Sequence, residues 1–508
     1  MSDDRNSGNG DNGDSNDGAP YRTASDPHEG KKLLQRIVSE TTLFAMLSVV
    51  SSILAWTTNL LLARLLDKRD FGVYGICTFF LGVGSLIGDG GLAVALLRKD
   101  YPLTRDALRA AAAFALGVAV MLTAGLFTFA PWLGTQYHLT ATEALVLRVM
   151  APLYLVSAVR MIPYVRLERN LEFSKIARVE LYASLVRHVL AIVAAVLSGG
   201  VWALVVSNFV GSILQCALAY RASPGWPGIG WSWKVLRPML GFGAKVEALG
   251  ILAYIKDNVS RAMLGKALGP AAVGLFDFGL NYIQLPVLAV NSLARVQLPV
   301  YAQLDRRDPT LYAALRGALR AASIVGIPAL IALAVAAPWA VPTFYSPQWS
   351  PSYPVIWGLV GNMVAGLAAS PLFGLMQGQN RAGLAIGVFA VWTTATWALS
   401  IASVYFFPGD LGKIAWCYSA VTLVVVAGMF SWTGRVLGRS LFSAVRGPAI
   451  SGGAGLALAL AQSKYETGLL AHPIACALSA IIGYVLVLMV LEGTEVLAEV
   501  KELVRRKR

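Results

Sequence analysis

From residue 41 onward the chain alternates between apolar blocks of helical length and short polar breaks. A helix needs about 20 mostly apolar residues to cross the hydrocarbon of a bilayer, so each block predicts a membrane-spanning helix. The blocks fall near 41–63, 71–97, 108–131, 143–165, 177–198, 201–220, 240–263, 271–293, 312–337, 353–378, 382–406, 412–434, 447–463 and 471–491, fourteen in all. The thirteenth is short and glycine-rich, and 71–97 is long and interrupted by Gly88-Asp89-Gly90-Gly91. The pattern predicts an all-α polytopic membrane protein. Residues 1–30 are rich in Asp, Asn, Ser and Gly. They lack the basic start and apolar run of a secretory signal, and their composition predicts a disordered tail.

Composition sharpens this picture. Of 508 residues, 56% are hydrophobic and 14% charged, against ~25% charged in a typical soluble chain. The apolar residues suffice for up to about 14 spans, with little left for a soluble domain. An enzyme domain on a membrane anchor, a disordered or fibrous chain, and an outer-membrane barrel with its alternating polarity are all excluded. Cys77, Cys216, Cys417 and Cys476 are scattered singly through apolar sequence, without metal or disulfide spacing.

The net charge of +14 would point to nucleic acid in a soluble chain. Here its location decides. With the chain ends and every second loop on one side, 31 of the 42 basic residues fall on that side, six on the other and five inside spans. Basic loops mark the cytoplasmic side, so both termini are expected there, and no nucleic-acid partner is needed. Trp132, Tyr137, Trp339, Phe344, Tyr345, Trp349 and Tyr353 cluster at the opposite ends, where an interfacial aromatic belt belongs.

The chain repeats itself. Residues 62–75, LARLLDKRDFGVYG, align with 264–277, LGKALGPAAVGLFD, at a shift of 202 positions. Leu62 pairs with Leu264, Arg64 with Lys266, Leu66 with Leu268, Gly72 with Gly274 and Tyr74 with Phe276. Both copies fall at a turn between an odd and an even span. Six spans per repeat predicts two parallel six-helix lobes around a central cavity, a transporter architecture, plus two C-terminal helices. The expected organisation is a tail over 1–35, a first lobe over 36–222, a linker over 223–238, a second lobe over 239–440, the last two helices over 441–492 and a basic tail over 493–508.

LARLLDKRDFGVYG, followed by IGDGGLAVALLRKD (87–100), RLERNLEFSKIARVELYASLV (166–186), GGVWALVVSNFVG (199–211), LRPMLGFGAK (236–245) and NVSRAMLGKALGPAAVGLFDFGLNYIQLPV (258–287), resembles the bacterial polysaccharide flippases. These belong to the multidrug/oligosaccharidyl-lipid/polysaccharide exporter superfamily. The resemblance covers roughly residues 40–305. It implies alternating access about a central cavity and the flipping of polyprenyl-pyrophosphate-linked oligosaccharide in the bacterial inner membrane. Family members often carry Asp just before the arginine matched by Arg261; here Ser260 stands in that place, with Asp257 three residues earlier.

An ionisable group inside the bilayer costs on the order of 2.5–3.5 kcal/mol, so such groups normally face a cavity or a partner. In the fifth span Glu180, Ser184 and Arg187 share one face at i, i+4 and i+7. Arg187 either bridges to Glu180 or faces the cavity and binds a pyrophosphate or acidic sugar, for which its fork of donors is suited. The seventh span carries Lys245, Glu247, Lys256, Asp257, Asn258, Ser260 and Arg261. Lys245 and Lys256 share a face, and Asp257 and Arg261 stand at i, i+4. A span this polar is expected to line the cavity and to bend. The eighth adds a stripe of Asp277, Asn281, Gln284 and Asn291, suited to sugar hydroxyls or to a neighbouring helix. Asp89, flanked by glycines, is a candidate for Na⁺ or H⁺ coupling or a hinge, and Glu180, Asp257 and Asp277 are further coupling candidates. His188, beside Arg187, reads as a packing residue.

The chain has no phosphate-binding G-x-x-x-x-G-K-[ST] loop, no acid–base pair on a long outer loop and no metal cluster, so no cofactor is expected. Four functions are weighed: a lipid-linked oligosaccharide flippase, an ion-coupled exporter of small amphiphiles, a membrane glycan polymerase or ligase, and an assembly scaffold. The first leads. Its expected partners are the polyprenyl-pyrophosphate-linked glycan, membrane lipids and other polysaccharide-assembly proteins.

Overall fold

The computed structural model describes residues 27–88, 90–98, 103–304, 308–379, 382–462 and 472–493. Among these residues there is no strand. The helices are α1 (Pro27–Leu65), α2 (Lys68–Gly88), α3 (Leu92–Leu97), α4 (Arg105–Gln136), α5 (Ala141–Met150), α6 (Leu153–Arg169), α7 (Phe173–Ser198) and α8 (Val201–Ala222) in the first half. The second half holds α9 (Trp233–Asp257), α10 (Val259–Leu268), α11 (Pro270–Gln303), α12 (Pro309–Ala340), α13 (Tyr353–Gly378), α14 (Ala382–Phe406) and α15 (Leu411–Leu437). A final pair, α16 (Phe442–Gln462) and α17 (Pro473–Glu492), packs against α12.

The described residues of the apolar blocks are mostly helical. Among the described residues, twelve helices are long and apolar enough to cross a membrane. The two blocks outside that set, 240–263 and 271–293, form α9–α10 and α11, where the intramembrane charges concentrate. The chain is thus a multi-pass membrane protein. One boundary moves: α1 begins at Pro27, inside the expected tail of 1–35. Proline suits the first helical turn, and Leu33, Leu34, Ile37 and Val38 supply helical apolar spacing. The linker between the halves likewise ends earlier than expected, because α9 starts at Trp233.

Three spans are broken, each for a local reason. Gly90 and Gly91 take positive φ between α2 and α3. Pro152, which has no amide hydrogen to continue a helical ladder, starts α6. Asn258 leaves helical geometry between α9 and α10, and its side-chain amide donates to the Tyr254 carbonyl at 2.9 Å. The bend expected of the seventh span is at this residue.

The repeat is visible as geometry. Helices α2 and α11 pack directly on each other. A β-carbon on Gly72 would fall 1.7 Å from the Pro270 carbonyl oxygen, and one on Gly274 would fall 1.9 Å from that of Lys68. Residues 68 and 72 shifted by 202 are 270 and 274, so the two closest approaches are equivalent by pseudo-two-fold symmetry. At the same end, a loop of each half reaches across to the other half's first span. Trp349 Nε1 donates to the Ala63 carbonyl at 2.7 Å, and Gln348 Nε2 donates to the carbonyls of Ala63 and Leu66. Arg64 donates to the carbonyls of Thr343 and Phe344. In the reciprocal arm Tyr137 packs on Gly265 and the His138 ring bonds the Lys266 carbonyl at 3.1 Å. Positions 265 and 266 are 63 and 64 shifted by 202. We call this the repeat end, and the end with loop 223–232 the basic end.

Candidate functional site: polar cavities in the first half

At the repeat end the halves are clasped shut, so polar space lies elsewhere. Two cavities of about 290 and 320 Å³ open within the first half. They share Glu180 of α7 and Gln215 of α8. The first is walled by α2, α4, α6 and α7 and reaches the basic-end termini of α2 and α6 at Gly88 and Glu168. The second lies between α1, α7 and α8, with Ser48 and Ser51 facing Glu180, Ser184 and Arg187. The helical spacing of those three α7 residues sets them on one wall.

Arg187 is seated by Gly211. A β-carbon there would meet Arg187 Nε at 2.8 Å, so glycine leaves the slot through which the guanidinium crosses α8. Its Nε is buried without a hydrogen-bond partner among the described residues. No ion pair joins Arg187 to Glu180 there, although both line the same cavity. A second arginine, Arg160 of α6, donates to Gln215 Oε1, and Gln215 Nε2 donates to the Tyr164 hydroxyl at 2.7 Å. Arg160 lies within electrostatic reach of both Glu180 and Arg187. The site therefore holds two guanidiniums, two carboxylates (Glu168 and Glu180) and a Gln–Tyr pair. That combination suits an anionic, hydroxyl-bearing group.

The second half treats its charges differently. Arg261 donates through Nε to Asp277 Oδ2 at 2.7 Å and through Nη1 to Asn258 Oδ1 at 2.8 Å. Asp277 faces Gly75, its own counterpart at a shift of 202. Lys256 pairs with Asp257 and lies 4.4 Å over the Trp392 ring, buried at 8% exposure. Tyr254, one turn before Asn258, donates to the α2 carbonyls of Thr78 and Phe79. This network ties the α9–α10 bend to α2, α11 and α14. Asn258 is buried within it, Asn281 is exposed and Gln284 half-buried. Asp89 and the side chain of Lys245 lie outside the described residues.

Of the five basic residues expected inside spans, Arg148 donates to the Phe127 carbonyl and Lys256 and Arg261 are ion-paired. Arg187 is the described one with no such partner. Arg160, Tyr164, Glu168 and Gln215 were not singled out from the sequence. Arg160 counts there as a loop charge because it falls near the basic end, but α6 carries it inward. The available signal was its spacing: Arg160, Tyr164 and Glu168 stand at i, i+4 and i+8, one face of a helix.

Comparison with known proteins adds relatives to this geometry. The family described as polysaccharide biosynthesis protein matches residues 61–354. The lipopolysaccharide biosynthesis protein WzxC of Escherichia coli K12 is 23% identical over 369 residues, 69% of this chain and 71% of that one. The succinoglycan biosynthesis transport protein ExoT of Rhizobium meliloti is 23% identical over 305 residues, 60% of this chain and 61% of that one. Among solved structures, the lipid II flippase MurJ in an inward closed conformation superposes with a TM-score of 0.71 at 13% identity, covering 89% of this chain and 98% of that one. That likeness is one of fold.

Proposed function

Because the chain belongs to the polysaccharide biosynthesis protein family, we propose that it is a flippase rather than an enzyme, moving polyprenyl-pyrophosphate-linked oligosaccharide across the bacterial inner membrane for lipopolysaccharide, capsule or exopolysaccharide assembly. The names of WzxC and ExoT, a lipopolysaccharide biosynthesis protein and a succinoglycan biosynthesis transport protein, support this reading. So does an architecture of two clasped repeats. Both termini lie on the cytoplasmic side, on the evidence of the basic loops, and the basic end therefore faces the cytoplasm.

The single observation that carries the reading is Arg187. An arginine mid-span, on the wall of a polar cavity and without an ion-pair or hydrogen-bond partner among the described residues, is costly unless something completes it. A pyrophosphate does so. The head group enters from the basic end, its phosphates meet Arg187 and Arg160, and its sugars meet Gln215, Tyr164 and the serines. Release requires the repeat-end clasp to open while the lipid tail stays in the bilayer.

Coupling belongs to the same cavity. Asp277 and Asp257 are neutralised by Arg261 and Lys256, whereas Glu180 faces the guanidiniums without pairing. Proton or Na⁺ binding at Glu180 changes the net charge that an incoming phosphate meets, which links ion and substrate.

The test replaces Arg187 with Ala and with Lys in cells that depend on this chain for surface polymer. The expected result is loss of polymer and retention of lipid-linked glycan on the inner leaflet in Arg187→Ala, with partial recovery in Arg187→Lys. Wild-type polymer in Arg187→Ala, at normal membrane levels, would refute the assignment.

A further inference from the structure

The segment that joins the two halves has a chemistry that the transport cycle does not explain. Residues 223–232, SPGWPGIGWS, run between the end of α8 and the start of α9 at the basic end. With three glycines and two prolines it reads as a slack connector, yet it is pinned. Arg109 Nε donates to the Pro227 carbonyl at 2.9 Å, and its side chain runs beneath Gly228 and Gly230. Arg166 donates to the carbonyls of Pro224 and Gly225. Gly225 and Gly228 adopt positive φ, which lets the chain fold back over these arginines. Trp226 packs against Tyr220.

The pinned loop turns its large apolar side chains outward. Ile229, Trp231 and Trp233 are 70%, 65% and 56% exposed. The loop follows the span formed by α8 and precedes α9, and tryptophan favours the polar boundary of a bilayer. Exposed Arg221, Lys234 and Arg237 flank it. No carboxylate occurs anywhere from Gly199 to Val246; the nearby acid is Asp106, beside Arg109. Exposed indoles with surrounding cations match an acidic lipid surface, whose head groups attract basic residues at about 1 kcal/mol each.

We infer that the linker is an interfacial anchor: residues 226–233 lie in the head-group layer of the basic-end leaflet and hold acidic phospholipid there. The two halves then pivot about a connector kept at fixed depth, so that rocking of the lobes tilts α8 and α9 against a stationary point in the membrane.

The experiment uses the full chain in nanodiscs, with Cys216 and Cys417 replaced by Ser and a nitroxide on Ile229→Cys. Collision with oxygen should exceed collision with a water-soluble nickel complex, placing the label at or just below the phosphates. The same label on Pro408→Cys, exposed in a loop of the repeat end, serves as the reference for an exposed turn. Acidic-lipid retention, read by native mass spectrometry from discs containing phosphatidylglycerol, should fall about five-fold for each of Arg221→Gln, Lys234→Gln and Arg237→Gln. Water-like accessibility at residue 229 would overturn the anchor, and so would unchanged lipid retention in the triple charge variant. The linker side chains are exposed, so neither substitution set tests folding in place of lipid contact.

Discussion

In the first half, Glu180 and Arg187 face one cavity from the same helix and do not bond. In the second, Arg261 and Asp277 stand on successive helices and close to 2.7 Å. The distance along the chain explains the contrast. Seven positions on one helix are about 10 Å of rise, too far for direct pairing across that wall. Sixteen positions that include the turn at Gly269 bring α10 and α11 side by side, and the two groups meet. The halves share a repeat, but of these two intramembrane sets only the one in the second half closes its charges on itself. A charge pair that is already satisfied holds a bend. A charge left open in a polar cavity waits for a ligand. On the proposed function, the difference gives the charges of the second half a structural role and those of the first half a substrate-binding one.

The strongest way to break this comparison is Arg261→Met. Removing one partner of a buried pair leaves an uncompensated charge, and the expected loss is about 3–5 kcal/mol. It would be read as a lowered melting temperature in nanodiscs. Arg261→Met with Asp277→Leu should regain most of it, since replacing both members removes the stranded carboxylate. Arg187→Met should leave the melting temperature unchanged or raise it, while abolishing transport. Equal destabilisation by Arg187→Met and Arg261→Met would end the distinction between the halves.

A smaller effect separates substrate from coupling inside the first half. Glu180→Gln keeps the size and an oxygen acceptor, replacing the carboxylate with an amide that cannot take up a proton. In vesicles, gradient-driven flipping should fall toward the rate seen without a gradient, and downhill exchange should persist. If Glu180→Gln responds to an imposed gradient as the wild type does, the coupling group lies elsewhere.

Much of this was legible beforehand, because hydrophobic length is a strong signal and helical spacing is a rigid rule. The fourteen blocks, the bend in the seventh span, the shared face of Glu180, Ser184 and Arg187, and the pairing of Gly72 with Gly274 all follow from local pattern. What escaped the sequence depends on depth and on partners. Arg160 counts as a loop charge because its distance from the basic end is set by the tilt and length of α6. Lys256 reads as a cavity-lining cation because Trp392, 136 positions away, cannot be placed over it without the fold. Asp257 stands at the right spacing to pair with Arg261, yet Arg261 turns to Asp277 and Asp257 takes Lys256. Spacing names the neighbours a side chain has, and packing chooses among them.

The smallest effect is expected at the repeat end, where the two arms of the clasp are unequal. Trp349 is fully buried, stacked on Phe278 at 4.4 Å between ring centroids, and its N–H meets Ala63. The reciprocal arm has one ring-to-carbonyl bond from His138. Trp349→Phe retains the stacking and removes one hydrogen bond, a loss of about 0.5–1.5 kcal/mol. Gln348 still donates to the Ala63 carbonyl, which keeps the acceptor satisfied and sets the result toward the lower value. Because those bonds hold only the closed state, the loss should appear as a rise of about two-fold in labelling of Asn281→Cys by an impermeant thiol reagent added from the repeat end. His138→Phe should raise the same labelling less. If His138→Phe opens the end as readily as Trp349→Phe, the clasp is symmetric in energy as well as in position, and the inequality of the two halves is confined to the charges beneath it.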